Sequence, residues 1–316
     1  MGAPRNTKWL NVTQTQQMFE QLSLAYDFGI QRMWILNVGD LKPMEYPIQL
    51  FMDMAWNPKE YTQQTVTDHT RRFFEAMFAL SSSSASLPSS SASSSSASLP
   101  SPATTPAASA AGLSALPSGG FTFTPSVGFI SIEAEHFFST HAPEGTAWSI
   151  YPYYGRTRSA VALTPYTKPT DGASLSYRFT LPDVRFSPLA STPSTLDSVT
   201  VHVVVKSTLD FLNVGGHEYT VSLDDSEPQV VNFNKTLVDR QPYMYSEFYP
   251  AVARRVVEKT ITIPASRKDF HELTLSPRHP GIVFEKIVID FGGYQPQHLF
   301  GTESPYYCRD TNHRAM

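Results

Sequence analysis

Val199-Thr200-Val201-His202-Val203-Val204-Val205 is a largely alternating run of β-branched residues, a composition that suits a pleated, half-buried strand far better than a helix. Reading outward from it, the same period recurs in Phe129–Glu135, Leu175–Phe179, Tyr219–Leu223, Lys259–Ile263, His271–Leu275 and Ile282–Asp290. Pro, Gly, Asp and Ser separate these runs; Asp224-Asp225 supplies a turn after its strand, and Gly292-Gly293 ends the last one. At least seven strands with almost no helical stretch between them predict an antiparallel β-sandwich over residues 121–308, followed by a tail at 309–316.

Upstream the period disappears. Residues 81–120 are almost entirely Ser, Ala, Pro, Thr, Leu and Gly, including SSSSASLPSSSASSSSASLPSP at 81–102. Such a tract cannot bury enough apolar surface to offset its ordering entropy, so it reads as a disordered low-complexity linker. Before it, Thr15–Phe28 carries Met18, Phe19, Leu22, Leu24, Ala25 and Phe28 near a helical period, with Gly29 as a stop. Met33-Trp34-Ile35-Leu36 then reads as a strand buried on both faces and running into the turn Asn37-Val38-Gly39-Asp40. Pro47 opens a second apolar helix that Asn57-Pro58 stops, and Thr67–Leu80 gives a third helical pattern that runs into the linker. Helix, strand and helix form an αβα piece of a parallel α/β fold. One parallel strand leaves both hydrogen-bonding edges open, so the reading expects residues 1–80 to be the tail of a larger α/β domain.

Composition excludes several functions. A chain of 316 residues with 41% hydrophobic and 12% aromatic residues can bury one or two cores. A formal charge of -4 and the lack of a Lys/Arg stripe argue against nucleic acid as a partner. No apolar run approaches the ~18 residues that cross a bilayer, and the opening MGAPRNTKWL lacks the apolar core of a secretory signal, so no membrane partner is expected and the compartment stays open. Cys308 is the single cysteine and cannot close an intrachain disulfide. The nine histidines show no metal-ligand spacing, and Asp224-Asp225 lacks the repeated acidic spacing of a calcium loop, so neither a metal nor another cofactor is expected.

WILNVGDLKPMEYPIQLFMDMAWNP at 34–58 resembles the segment of glycoside hydrolase family 115 in which a barrel strand ends in an Asn-Val-Gly-Asp turn. KWLNVTQTQQMFEQLSLAYDFGIQRM is similar to the helix that precedes that strand. Downstream, GFISIEAEHF at 128–137, Trp148–Ser159 with Tyr154-Gly155-Arg156-Thr157, VSLDDSEPQVVNF at 221–233, and PGIVFEKIVIDFGG followed by Glu303-Ser304-Pro305 resemble that family's C-terminal sandwich, in the same order. The resemblance implies a TIM-barrel-derived remnant at 1–60, a helical remnant at 61–80, the linker at 81–120 and the sandwich at 121–308. It also implies an activity, the inverting hydrolysis of α-1,2-linked (4-O-methyl)glucuronic acid from xylan. Most of the catalytic barrel has no counterpart in this sequence, and the rival expectation is a non-catalytic carbohydrate-binding or structural β-sandwich module.

Glycoside hydrolysis needs two carboxyl groups flanking the scissile bond. The resemblance places Asn37 at a strand end facing the sugar, with Asp40 and Glu45 near the rim of the same site. The same three residues also have a purely architectural reading, in which Asn37 and Asp40 hold the Gly39 turn, Lys42 pairs with a carboxylate and Glu45 favours a helix start. None can be assigned as general acid or base. Trp148 and Tyr154, with Tyr151 and Tyr153, form an aromatic cluster that either stacks on sugar rings or fills the core. Glu133, Glu135 and His136 are read as a solvated face. The expected partners are xylan or a glucuronoxylan-derived oligosaccharide, and a homodimer through the sandwich.

Overall fold

The computed structural model describes residues 11–39, 41–84, 120–185 and 195–308. Three helices come first: α1 (Thr15–Asp27), α2 (Glu45–Trp56) and α3 (Gln63–Ser84), with a short 3-10 turn at Pro58–Glu60. α1 and α3 begin where side chains satisfy free N–H groups, whereas α2 starts after Met44 with no side-chain cap. Gln14 caps α1 by accepting from the Gln17 N–H at 2.8 Å, and Thr62 and Thr65 exchange side-chain and backbone hydrogen bonds ahead of α3. The linker expected at 81–120 lies from 85 to 119 outside the described residues, α3 itself running to Ser84.

The strand expected at 33–36 does not form. Residues 30–39 have no regular structure, and Met33 and Ile35 are each 73% exposed. A parallel strand exists only through its neighbours, and no other strand among the described residues reaches this segment. What anchors it is Trp34, whose indole N–H donates to the Ile30 carbonyl at 2.7 Å and whose ring lies 5.9 Å from that of Phe51 in α2.

The second block is a sandwich of two sheets. One contains β1 (Phe121–Phe123), β3 (Ser139–His141), β6 (Ser174–Phe179), β8 (Glu218–Leu223), β9 (Gln229–Asn232), β11 (His271–Pro277) and β13 (Tyr306–Cys308), in the order β13-β1-β6-β11-β8-β9 with β3 also on β6. The other contains β2 (Phe129–Glu133), β4 (Ala147–Tyr151), β5 (Ala160–Thr164), β7 (Ser198–Lys206), β10 (Val256–Pro264) and β12 (Val283–Asp290), in the order β10-β7-β12-β5-β4 with β2 also on β12. All seven strands read from the alternating pattern are present. Pairing is antiparallel except between β1 and β6. A π-helical turn at Met244–Phe248 and α4 (Tyr249–Arg254) interrupt the strands before β10.

The period of 2 sorts β7 between the two faces of its sheet. Val199, Val201, Val203 and Val205 enter the inter-sheet core with Ile130, Ile287, Tyr177, Tyr219, Leu273 and Leu275, all fully buried. His202, Val204 and Lys206 point to the opposite face, yet they are buried too. That outer face is roofed in two places. The helices cover one part, Phe19, Leu24, Tyr46, Leu50, Met54 and Val66 packing on Tyr151, Tyr154, Ala160, Ala162 and Val283. The segment around Tyr294 and Phe300 covers the other, against Val204, Val256 and Val288. A fully buried Leu or Met contributes about 1.5–3 kcal/mol, so the described helices are held by the sandwich.

One polar group sits inside the helix–sandwich interface. Glu20 of α1 is 1% exposed; one carboxyl oxygen accepts from the Tyr154 hydroxyl at 3.3 Å and from Gln21 at 2.7 Å, and the other has no partner. Desolvation raises its pKa above the ordinary 4.5, against the smaller opposing pull of these donors and of Lys206. The folded state therefore holds the proton more tightly than the unfolded chain. Stability from this group is full below about 4.5 and is lost as pH climbs from there through the raised folded value. Glu20→Gln, neutral at every pH, is expected to flatten that loss: urea midpoints of variant and parent should converge in acid and separate in favour of the variant towards neutral pH. Parallel pH profiles would show that Glu20 does not titrate in the interface.

Candidate functional site

Where the helices meet the sandwich they leave a cleft of about 480 Å³. Its walls are the segment 12–21, the irregular segment 36–39, the start of α2, and Arg255. Met18, Leu36, Val38, Pro47 and Ile48 make it largely apolar; Thr13, Gln14, Gln17, Gln21, Asn37 and Arg255 supply the polar groups. This mixture, an apolar concavity with a few convergent hydrogen-bonding groups, is the usual make-up of a small-ligand site. Among the described residues lining it there is no carboxylate.

Of the residues singled out by resemblance, the structure brings only Asn37 into this cleft. Its side chain is exposed and has no hydrogen-bond partner among the described residues. Asp40 lies outside the described residues. Glu45 is not part of the lining; it stands in the first turn of α2 with Lys42 at 3.9 Å, where a carboxylate favours the helix start. Gln14 is committed to its cap and to the Tyr153 carbonyl at 2.8 Å, and Gln21 to Glu20.

The aromatic cluster takes its core reading. Trp148 is 3% exposed and donates to the His141 carbonyl at 2.9 Å, while Tyr154 is 1% exposed under α1. Neither presents a ring face to a sugar, because β4 turns Trp148 into the inter-sheet core and the helices cover Tyr154. Tyr153 is the exposed member, at 75%.

The expectation of a solvated face at Glu133 and His136 is also corrected, and the correction explains the remaining motifs. β12 carries a bulge between Phe284 and Lys286, which places Glu285 and Lys286 next to each other on the roofed outer face. Lys206 donates to Glu285 at 3.0 Å and to the Tyr154 carbonyl at 2.9 Å. Lys286 donates to Glu133 and to the Gly301 carbonyl, each at 2.9 Å. The turn Tyr154-Gly155-Arg156-Thr157 closes over both pairs: the Arg156 N–H donates to Glu285 at 2.7 Å and the Thr157 hydroxyl to Glu133 at 2.5 Å. Gly155 is required there, since a Cβ would meet the Ser159 carbonyl oxygen at 2.6 Å. The Arg156 guanidinium ties the turn to the carbonyls of His298 and Arg254 and lies over Phe300. Glu303 completes the set, against His136 at 2.5 Å and the Glu133 N–H at 3.3 Å. Burial pushes the Lys206 and Arg156 pKa values down, the attraction of Glu285 opposing it in both.

Fold and cleft thus describe a β-sandwich with a docked helical flank, and the comparisons give its family. The model of the glycosyl hydrolase family 115 C-terminal domain matches residues 122–303, and that of glycosyl hydrolase family 115 matches residues 1–93. The chain belongs to glycoside hydrolase family 115. It is similar in fold to a solved family GH115 4-O-methyl-alpha-glucuronidase with specificity for decorated arabinogalactans, at 16% identity and a TM-score of 0.57, over 91% of this chain and 50% of that one. The chain thus spans about half the length of that solved relative. It is also similar, at 14% identity and a TM-score of 0.33, to the C-terminal family 6 carbohydrate-binding module of a laminarinase from Zobellia galactanivorans, over 51% of this chain and 98% of that one. No curated protein matches the chain.

Removing one partner from a buried ion pair leaves an uncompensated charge, typically at about 3–5 kcal/mol. Glu285→Ala should cost that much in urea unfolding, whereas Lys268→Ala, at the exposed Asp225 pair, should leave the urea midpoint nearly unchanged. Equal small losses would show that the network does not hold the fold.

Proposed function

We propose that the cleft at Asn37 takes the (4-O-methyl)glucuronic acid side group that is α-1,2-linked to xylan, and that the described residues bind this group without cleaving it. The observation that carries the reading is the composition of the lining: amides and a guanidinium around an apolar floor, with no carboxylate among the described residues. Free amide groups, Asn37 foremost, suit the hydroxyls of a sugar, and Met18, Leu36 and Ile48 suit its apolar face. Hydrolysis requires a proton donor and a second carboxylate on opposite sides of the glycosidic bond. The acidic residues that the fold does bury, Glu20, Glu133 and Glu285, are taken up by the interface and the ion-pair network. Family membership and the activity of the solved relative support a uronate-bearing glycan as ligand. The rival reading, a glycan-binding platform on the sandwich itself, loses Trp148 and Tyr154 to the core.

Affinity electrophoresis in gels containing glucuronoxylan is the test, with release of 4-O-methylglucuronic acid from the same polymer measured in parallel. The expected outcome is retardation of the parent chain without release, and Asn37→Ala weakened about threefold to tenfold, as for the loss of one hydrogen bond. A folded chain that is not retarded would sink the glycan reading; release that disappears in Asn37→Ala would replace binding with hydrolysis.

A further inference from the structure

Among the described residues lining the Asn37 cleft, Arg255 is the only one from the sandwich block and the only charged side chain. It occupies an unusual backbone position. Arg255 follows α4 as its C-terminal cap in the left-handed region, at φ 60° and ψ 17°, with its N–H bonded to the Ala251 carbonyl at 2.7 Å. Glycine, or sometimes Asn, is the ordinary residue there, because a Cβ is penalised in that conformation. A non-glycine residue held in it is strain that the surroundings must offset, and such strain concentrates where a side chain has a task.

The side chain shows what the position achieves. From the start of β10 the guanidinium crosses to the helical block and donates through one terminal nitrogen to the Val12 carbonyl. That single bond uses one of five N–H donors, in a group whose planar fork matches a carboxylate. It also fixes the arm in place, so that little freedom remains to be lost when a ligand arrives. From the same cleft, Asn37 offers only a neutral amide, with no charge to match a carboxylate. We propose that Arg255 is the specificity-determining residue of this cleft: the sandwich delivers one anchored guanidinium that reads the carboxylate of the uronic acid, while Asn37 reads hydroxyls common to acidic and neutral sugars. The inference rests on the glycan-binding reading above and adds to it which group distinguishes a uronate from a hexose.

The experiment compares two probes by isothermal titration calorimetry: xylotriose carrying 4-O-methylglucuronic acid, and the same oligosaccharide after reduction of the carboxyl to the alcohol. The parent chain should bind the acid at least about tenfold more tightly, the worth of a charge-assisted contact. Two variants keep a failed fold from confusing the outcome. Arg255→Gly and Arg255→Asn both suit the left-handed backbone and should melt no lower than the parent; in both, affinity for the acid should fall to within about twofold of that for the reduced probe. Arg255→Lys, a point charge without the fork, should recover only part of the preference. Asn37→Ala should weaken both probes by the same factor. Preference for the acid surviving in Arg255→Gly, or binding of both probes equally by the parent, would overturn the role of Arg255 and leave the glycan reading standing. Binding of neither probe by the parent would overturn both.

Discussion

One extra residue in β12 sets the terms for the rest of the molecule. By inserting Glu285 between Phe284 and Lys286, the bulge puts a carboxylate and an ammonium side by side on a sheet face that is covered rather than solvated. A buried charge is tolerated only when paired and hydrogen-bonded. Each therefore recruits a partner from a different strand: Lys206 from β7 for Glu285, and Glu133 from β2 for Lys286. Those partners need further donors and acceptors, which the turn at 154–157 and the segment at 298–304 supply. Because every contact in the set depends on the register of β2, β7 and β12, the network specifies one alignment of three strands and the position of two loops. Its contribution is specificity of arrangement more than net stabilisation, since desolvation offsets most of the attraction.

The helical block follows from the same covered face. Helices α1 to α3 have an apolar stripe and, among the described residues, no strands of their own to pack upon, and they take the outer surface of β4, β5 and β12 instead. Tyr154 links the two systems, its carbonyl held by Lys206 and its hydroxyl by Glu20. The cleft at Asn37 is a product of this docking: one wall belongs to α1, one to the segment that follows it, and the cation that closes it comes from the cap of α4.

What could be read in the sequence tracks the range of the physics involved. Period-2 alternation is local, and β7, β8 and β11 were legible almost to the residue. β1 and β13, three residues each, are too short to show a period, and β3 is exposed throughout, so they exist only through their partners. Residues 33–36 failed in the opposite sense: the apolar run fits a buried strand, but a strand is a relation between segments, and no partner is in reach among the described residues. The sequence pattern predicts a solvated Glu133 because the polar face of an isolated strand normally is; the cover that buries it comes from Thr157, Lys286 and the segment at 301–304. Asn37 could be found through family resemblance. Nothing in Ala253-Arg254-Arg255-Val256 marks Arg255, since neither its left-handed backbone nor its reach to Val12 leaves a trace in residue type.

The distribution of acidic groups follows from these constraints together. A carboxylate near a guanidinium at about 4 Å would satisfy it and take it out of use for a ligand. Arg156, at the network, gives its backbone N–H to Glu285, while its guanidinium has two carbonyls on its terminal nitrogens and a ring beneath it. Arg255, at the cleft, has a single carbonyl and no carboxylate among the described lining residues. The two arginines stand on the same side of one sheet and differ mainly in that company. These two ties, on carbonyls of separate segments, make Arg156 architectural. The spare donors on Arg255 are what leave it able to meet an anion from outside, and the fold keeps them spare by placing its buried glutamates elsewhere.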